Sequence, residues 1–401
     1  MHSIIVTIPR RDFLKDIGMA ISGAYLVGSL NGCPPQGEGI ISERMLFRDG
    51  SNSSRPTPVT VTYKENLGPG SPLAVFHHGY GGGAHANNDQ LRNLVERGYV
   101  VAAPTHEGDI VNAGGTFRPI ATNLLGVFRD LNNLSENLSE ILQEDIGPIE
   151  AYTRIVMGAI RGEIQDERVL REVNNMFSYR AEDLVTVVRG MESLNQTHPN
   201  LKGLIDTGNI GVIGHSLGGN GAKIAGGGVD ELWKRFYADE FEGRIKAVVA
   251  EAPADPLLTS PELMRVPTMT MVGEADENVS PEYSRQMFSD YGMEGDCFME
   301  IGGGATHYSF TELGRDALDL ISKDTSPEKR QEILEEKGLL DILLGLGNGP
   351  TPEEARQISQ VTLDCPADFL DWKIRGDRAA GERVKEAGSI YPILKECMVN
   401  C

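Results

Sequence analysis

Short apolar runs recur along this chain, and most are followed by a segment with helical spacing. Leu73-Ala74-Val75-Phe76-His77, Tyr99 to Ala103, Ile210-Gly211-Val212-Ile213, Ala247 to Ala250, Thr268-Met269-Thr270-Met271-Val272 and Cys297-Phe298-Met299-Glu300-Ile301 are continuous rather than alternating. Continuous runs of this length predict strands buried on both faces. Helices are predicted from Asn87 to Glu96, from Tyr179 to Leu194 and from Gly219 to Ala225. Alternating strands and helices imply an α/β fold, with a mostly parallel central sheet flanked by helices. Ile40 to Asp49 and Pro58 to Lys64 predict an antiparallel edge pair, split by the turn-rich Gly50-Ser51-Asn52-Ser53-Ser54.

Two regions lie outside that alternation. Leu124 to Ile160 carries apolar residues at helical spacing, among them Leu131, Leu134, Leu138, Ile141 and Leu142. This predicts a helical cap insertion at about 107–177; the alternative is a solvated insertion with no substrate contact. Residues 323–401 predict a helical C-terminal extension packed by Leu339, Leu340, Ile342 and Leu343 and broken at Gly347-Asn348-Gly349-Pro350. The expected division is a leader at 1–33, a main domain at 34–322 and the extension.

Chemistry concentrates at Gly214-His215-Ser216-Leu217-Gly218. Strand, G-x-S-x-G, then helix forces a sharp turn that lifts a serine hydroxyl clear of the sheet. Ser216 is thus the candidate nucleophile. In that arrangement the acid and then the histidine follow the serine along the chain. His307 alone of the eight histidines lies beyond Ser216, in the loop Gly302-Gly303-Gly304-Ala305-Thr306-His307. Asp276, in the turn after Thr268 to Val272, is the expected acid, and Asp255 is its rival. Glu274 and Glu277 read as solvated charges. The acid's task is to fix the imidazole tautomer and stabilise the imidazolium.

An oxyanion hole needs two backbone amides aimed at the developing charge. Leu217 supplies one, and the loop His78-Gly79-Tyr80-Gly81-Gly82-Gly83 supplies the other through Tyr80. Tyr80 and His215 are the expected substrate contacts. A phosphate-binding reading of this loop is weaker, because no lysine follows at the required spacing.

These segments together resemble the α/β-hydrolase superfamily. Within it they look like dienelactone-hydrolase-like esterases, platelet-activating-factor acetylhydrolases and cutinase-like polyester hydrolases. The resemblance rests on His78-Gly79-Tyr80, Gly214 to Gly219, Ala252-Pro253, Gly273 to Pro281 and Gly304 to Phe310, spanning about residues 41–322. It implies the α/β-hydrolase fold and hydrolysis of carboxylic esters, small, lipid or polymeric, with no metal and no organic cofactor. Ala254 stands where polyester hydrolases commonly carry an aromatic residue, which weakens the polymer reading. The long 107–177 segment looks more like the acetylhydrolase and dienelactone-hydrolase-like branch. A catalytically silent binding protein, or a lyase or haloperoxidase on the same fold, are the readings of another class.

The amino terminus adds a destination. Pro9-Arg10-Arg11-Asp12-Phe13-Leu14-Lys15 resembles a twin-arginine export signal, and Ile17 to Leu30 is too short and weakly apolar for a stable span. Leu30-Asn31-Gly32-Cys33 resembles a lipobox, with Cys33 as the lipidated residue. Stable attachment then needs more than one acyl chain. Cys297, Cys365, Cys397 and Cys401 remain, an even number that predicts disulfides in an oxidising compartment, at least one tying the tail to the body. A formal charge of −21 argues against nucleic acid as a partner.

Overall fold

The computed structural model describes residues 39–48, 56–79, 82–106, 158–159, 164–238, 241–253, 263–323 and 350–400. The leader with Cys33, Tyr80, nearly all of 107–163, Asp255, the Leu339 to Leu343 segment and Cys401 lie outside the described residues.

Nine strands form one sheet: β1 (Ile40–Phe47), β2 (Thr57–Lys64), β3 (Ser71–His77), β4 (Val100–Pro104), β5 (Ile205–His215), β6 (Ile245–Glu251), β7 (Thr268–Gly273), β8 (Cys297–Ile301) and β9 (Leu394–Val399). Their spatial order is β1-β2-β4-β3-β5-β6-β7-β8-β9. Six neighbouring strands, β4 through β8, run parallel, while β1, β2 and β9 pair antiparallel. Successive residues of each parallel strand enter opposite cores. Leu73 and Val75 point into one and Ala74 and Phe76 into the other, and Val212 and Ile213 divide the same way. Burial on both faces is why these strands read as continuous apolar runs. Each such side chain contributes about 1.5–3 kcal/mol on burial.

The helices are α1 (Asn88–Glu96), α2 (Glu167–Thr197), α3 (Leu217–Ala225), α4 (Asp230–Phe236), α5 (Pro281–Tyr291), α6 (Glu312–Ser322), α7 (Pro352–Arg375), α8 (Arg378–Lys385) and α9 (Ala387–Ile390). α2 begins at Glu167, so residues 167–177 are part of the helix that precedes β5. Its apolar stripe, Val169, Val173, Met176, Phe177, Leu184 and Val188, is continuous across that boundary and packs in one core.

The described part of the C-terminal extension, 350–400, is mainly helical until Ile390 and then adds the strand β9 to the free edge of β8. α7 starts on a capping box, Thr351 with Glu354, with Pro352 in its first turn, and ends at Gly376 in the left-handed region. An ion-pair cluster docks it: Arg97 at the end of α1 reaches Asp368 at 2.6 Å and Asp371 at 2.9 Å, and Arg383 of α8 reaches Asp368 at 2.7 Å.

Cys297, Cys365 and Cys397 are free thiols, so no bridge joins the tail to the body through them. Cys297 faces Val399 and Cys397 faces Met299, which makes the two cysteines diagonal neighbours. Their thiols meet as a hydrogen-bonded pair and not as a bridge.

Candidate active site

The strand order reverses between β3 and β5: the chain moves outward from β3 to β4 and then returns to β5 on the other side. Loops at the carboxyl ends of two such strands diverge and leave a crevice between them, where open α/β sheets place their ligands. Ser216 follows β5 and Gly79 follows β3 at this point.

Ser216 has φ 56° and ψ −123°, left-handed geometry for a residue with a side chain. Such strain costs about 1–3 kcal/mol and persists only where the surroundings over-determine it. Here its N–H donates to the Glu251 carbonyl at 2.8 Å, and Asn220 N–H donates to the Ser216 carbonyl at 3.2 Å. The flanking glycines permit the turn, because a Cβ at Gly214 would fall on the Gly218 carbonyl and one at Gly218 on the His77 carbonyl. Leu217 opens α3, and the first amides of a helix have no acceptor within it.

Asp276 and His307 meet. His307 Nδ1–H donates to Asp276 Oδ2 at 3.0 Å, and the pair is buried. The other carboxylate oxygen accepts Asn278 N–H at 2.8 Å and Val279 N–H at 3.0 Å, which sets the direction of the carboxylate. The loops carrying acid and histidine are tied together: Ala275 N–H donates to the Ala305 carbonyl at 2.9 Å and Glu274 N–H to that of Ile301 at 2.8 Å. His307 opens a short 3-10 turn, His307–Phe310, boxed by Thr306 and Ser309, so the glycine loop ends in defined structure. Burial and the Asp276 charge push the neighbouring Tyr308 phenol above its ordinary range.

With Nδ1 committed to Asp276, Nε2 of neutral His307 is left as a proton acceptor. Ser216, Asp276 and His307 thus stand on the loops that follow β5, β7 and β8.

His215 lies between the Ser216 turn and the His307 loop. Its ring is buried, lies 4.8 Å from that of His307, and donates from Nε2 to the His307 carbonyl at 2.8 Å. Burial, and then the His307 ring, hold its imidazole neutral, well below the ordinary range. It joins the Ser216 turn to the His307 loop. Gly79 packs against this corner: a Cβ there would stand 3.2 Å from Ser216 Cβ and 3.0 Å from His215 Nδ1.

Buried polar residues behind the site carry no sequence motif. Glu251, whose carbonyl receives Ser216 N–H, accepts Gln90 Nε2–H at 2.5 Å, and burial raises its carboxyl to about 8. His77, His78, His106 and Asp183 form a second group. The paired histidines at the end of β3, and a third just after β4, were the signal available for it.

No protein-family model and no curated protein sequence matches the chain. Among solved structures, a ferulic acid esterase from Streptomyces cinnamoneus is similar over 86% of this chain and 92% of its own, with TM-score 0.51 and 17% identity. At that identity the likeness concerns the fold. Together with the strand order, it identifies the architecture as the α/β-hydrolase fold.

Proposed function

We propose that the protein is a serine hydrolase of carboxylic esters. The observation that carries this reading is the strained Ser216 turn together with a histidine locked by Asp276 into the tautomer a base needs. The fold-level likeness to an esterase supports it.

In the proposed cycle His307 Nε2 takes the Ser216 proton as Oγ attacks the ester carbonyl. Asp276 stays ionised and stabilises the imidazolium. The amides of Leu217 and Tyr80 receive the oxyanion, each such donor typically contributing about 10²–10³ in turnover. His307 returns the proton to the leaving alcohol, which departs and leaves an acyl-Ser216. Water, deprotonated by the same nitrogen, then releases the acid. No step calls on a metal or organic cofactor.

Small acyl and lipid esters, the substrates of the acetylhydrolase and dienelactone-hydrolase-like branch, rank ahead of polyesters in this reading, since Ala254 provides no aromatic clamp. The leader resemblance and Cys33 support export by the twin-arginine route and attachment as a lipoprotein. Turnover across p-nitrophenyl esters from acetate to palmitate tests the activity and its chain preference together. Activity highest on the short and medium chains is expected, and no turnover of any ester would remove the reading.

A further inference from the structure

We propose that the buried pair Asp183–His106 is a positioning dyad, which holds the Gly79 turn against Ser216 and so governs turnover without touching substrate. The proposal rests on the serine-hydrolase reading above.

Asp183 lies on α2 with its side chain wholly enclosed. One carboxylate oxygen accepts Thr57 Oγ1–H at 2.7 Å and the other accepts His106 Nδ1–H at 2.7 Å. A carboxylate only accepts, so His106 carries its proton on Nδ1. Two arms leave His106. Along the first, its backbone N–H donates to His78 Nε2 at 3.2 Å, which puts the His78 proton on Nδ1, and Nδ1–H donates to the Gly79 carbonyl at 2.8 Å. Gly82 N–H reaches the same carbonyl at 3.1 Å. The two bonds hold that carbonyl, on the turn where a Cβ at Gly79 would stand 3.2 Å from Ser216 Cβ.

Along the second arm, His77 Nδ1–H donates to His106 Nε2 at 2.9 Å, with the ring planes within 5° of parallel and the centroids 4.9 Å apart. His77 in turn stands behind the nucleophile helix, where a Cβ on Gly221 would lie 3.5 Å from its Nδ1. Burial keeps His77 and His78 neutral, His78 down at about 3, as this single set of tautomers requires. One carboxylate therefore orients the imidazole on which both sides of the nucleophile turn depend. An apolar pair would fill the same space with a smaller desolvation cost. Direction is what the polar string adds.

The test uses Asp183→Asn and His106→Gln, singly and together, in the full chain. Active sites are counted by phosphonate titration of the serine, and kcat is expressed per titrated site. Misplacement of a turn that borders the oxyanion lowers kcat by roughly tenfold or more while KM stays within about twofold. The double variant falls no further than the worse single one, because both break the same string. A purely structural role would lower the melting temperature and the number of titratable sites and leave kcat per site at the parent value; that result overturns the proposal. Should a dyad variant fail to fold, Thr57→Val removes one bond to Asp183 and leaves the dyad in place. A smaller fall in kcat per site is expected there, and an unchanged value overturns the proposal as well. A parent enzyme whose Ser216 takes up no phosphonate would instead overturn the serine-hydrolase reading itself.

Discussion

Ser216 and Ala252 are the two residues with side chains at positive φ among the described residues, and they meet where β5 and β6 end. The spacing of Gly214, Ser216 and Gly218 made the first legible in the sequence, since only a strand-to-helix elbow needs small residues on both sides of a serine. His307 was singled out by elimination and Asp276 by its place after β7, and the two side chains meet at 3.0 Å. The direction of His215 was not legible: adjacency to the nucleophile does not reveal that a ring turns inward to hold a carbonyl 92 residues away. If Asp276 sets the His307 tautomer, Asp276→Asn lowers kcat by about 10³–10⁴ with the fold intact. Asp255→Asn leaves activity within a few-fold. Steady-state kinetics on a p-nitrophenyl ester compares them, and the reverse ranking would move the acid to Asp255.

At the scale of elements, the parallel strands declared themselves because burial on both faces writes an uninterrupted apolar run. β9 did not. Leu394–Val399 carries Lys395 and Glu396, as an edge strand with one side toward solvent does, and such charges look like loop or helix in sequence. Glu396 pairs with Arg285, which also pairs with Glu300 on β8. Asp183 was equally hidden, a polar residue on the buried side of an amphipathic helix, whose partners come from β2 and the end of β4.

Another contact between elements has a pH signature. Glu251 on β6 faces Gln90 of α1, with Arg315 and Glu312 of α6 and Asp89 of α1 around it. Arg315 pairs with Asp89 at 2.5 Å. Burial raises Glu251 to about 8 and Glu312 to about 7 from an ordinary 4.5. The folded state therefore holds protons that the unfolded chain has released. The stability these groups contribute is complete below about 4.5 and is lost as pH rises through about 7–8. Thermal melts of the parent should lose stability from pH 5 to 8. Glu251→Gln, which keeps an acceptor for Gln90, should show a shallower slope. Parallel curves would remove Glu251 from this account.

For the whole molecule, the extension completes the sheet. β9 covers the edge of β8, the strand that leads to the histidine loop, and the Arg97 cluster ties α7 and α8 to α1. The expected tail-to-body disulfide is absent among the described cysteines, and this packing fills its place. Among the described residues no helix is long and apolar enough to cross a membrane; attachment through Cys33 is the proposal tested next. Cys33→Ser should move the exported protein from the membrane to the soluble fraction on cell fractionation. Persistent membrane association would place the anchor elsewhere.

The central claim is that Ser216 is the nucleophile. Its direct test is the rate of p-nitrophenyl acetate hydrolysis by Ser216→Ala beside the parent, with matched circular dichroism spectra. A fall of at least about 10³ in kcat is expected, with the fold retained. A folded Ser216→Ala protein that hydrolyses the ester at the parent rate would contradict it.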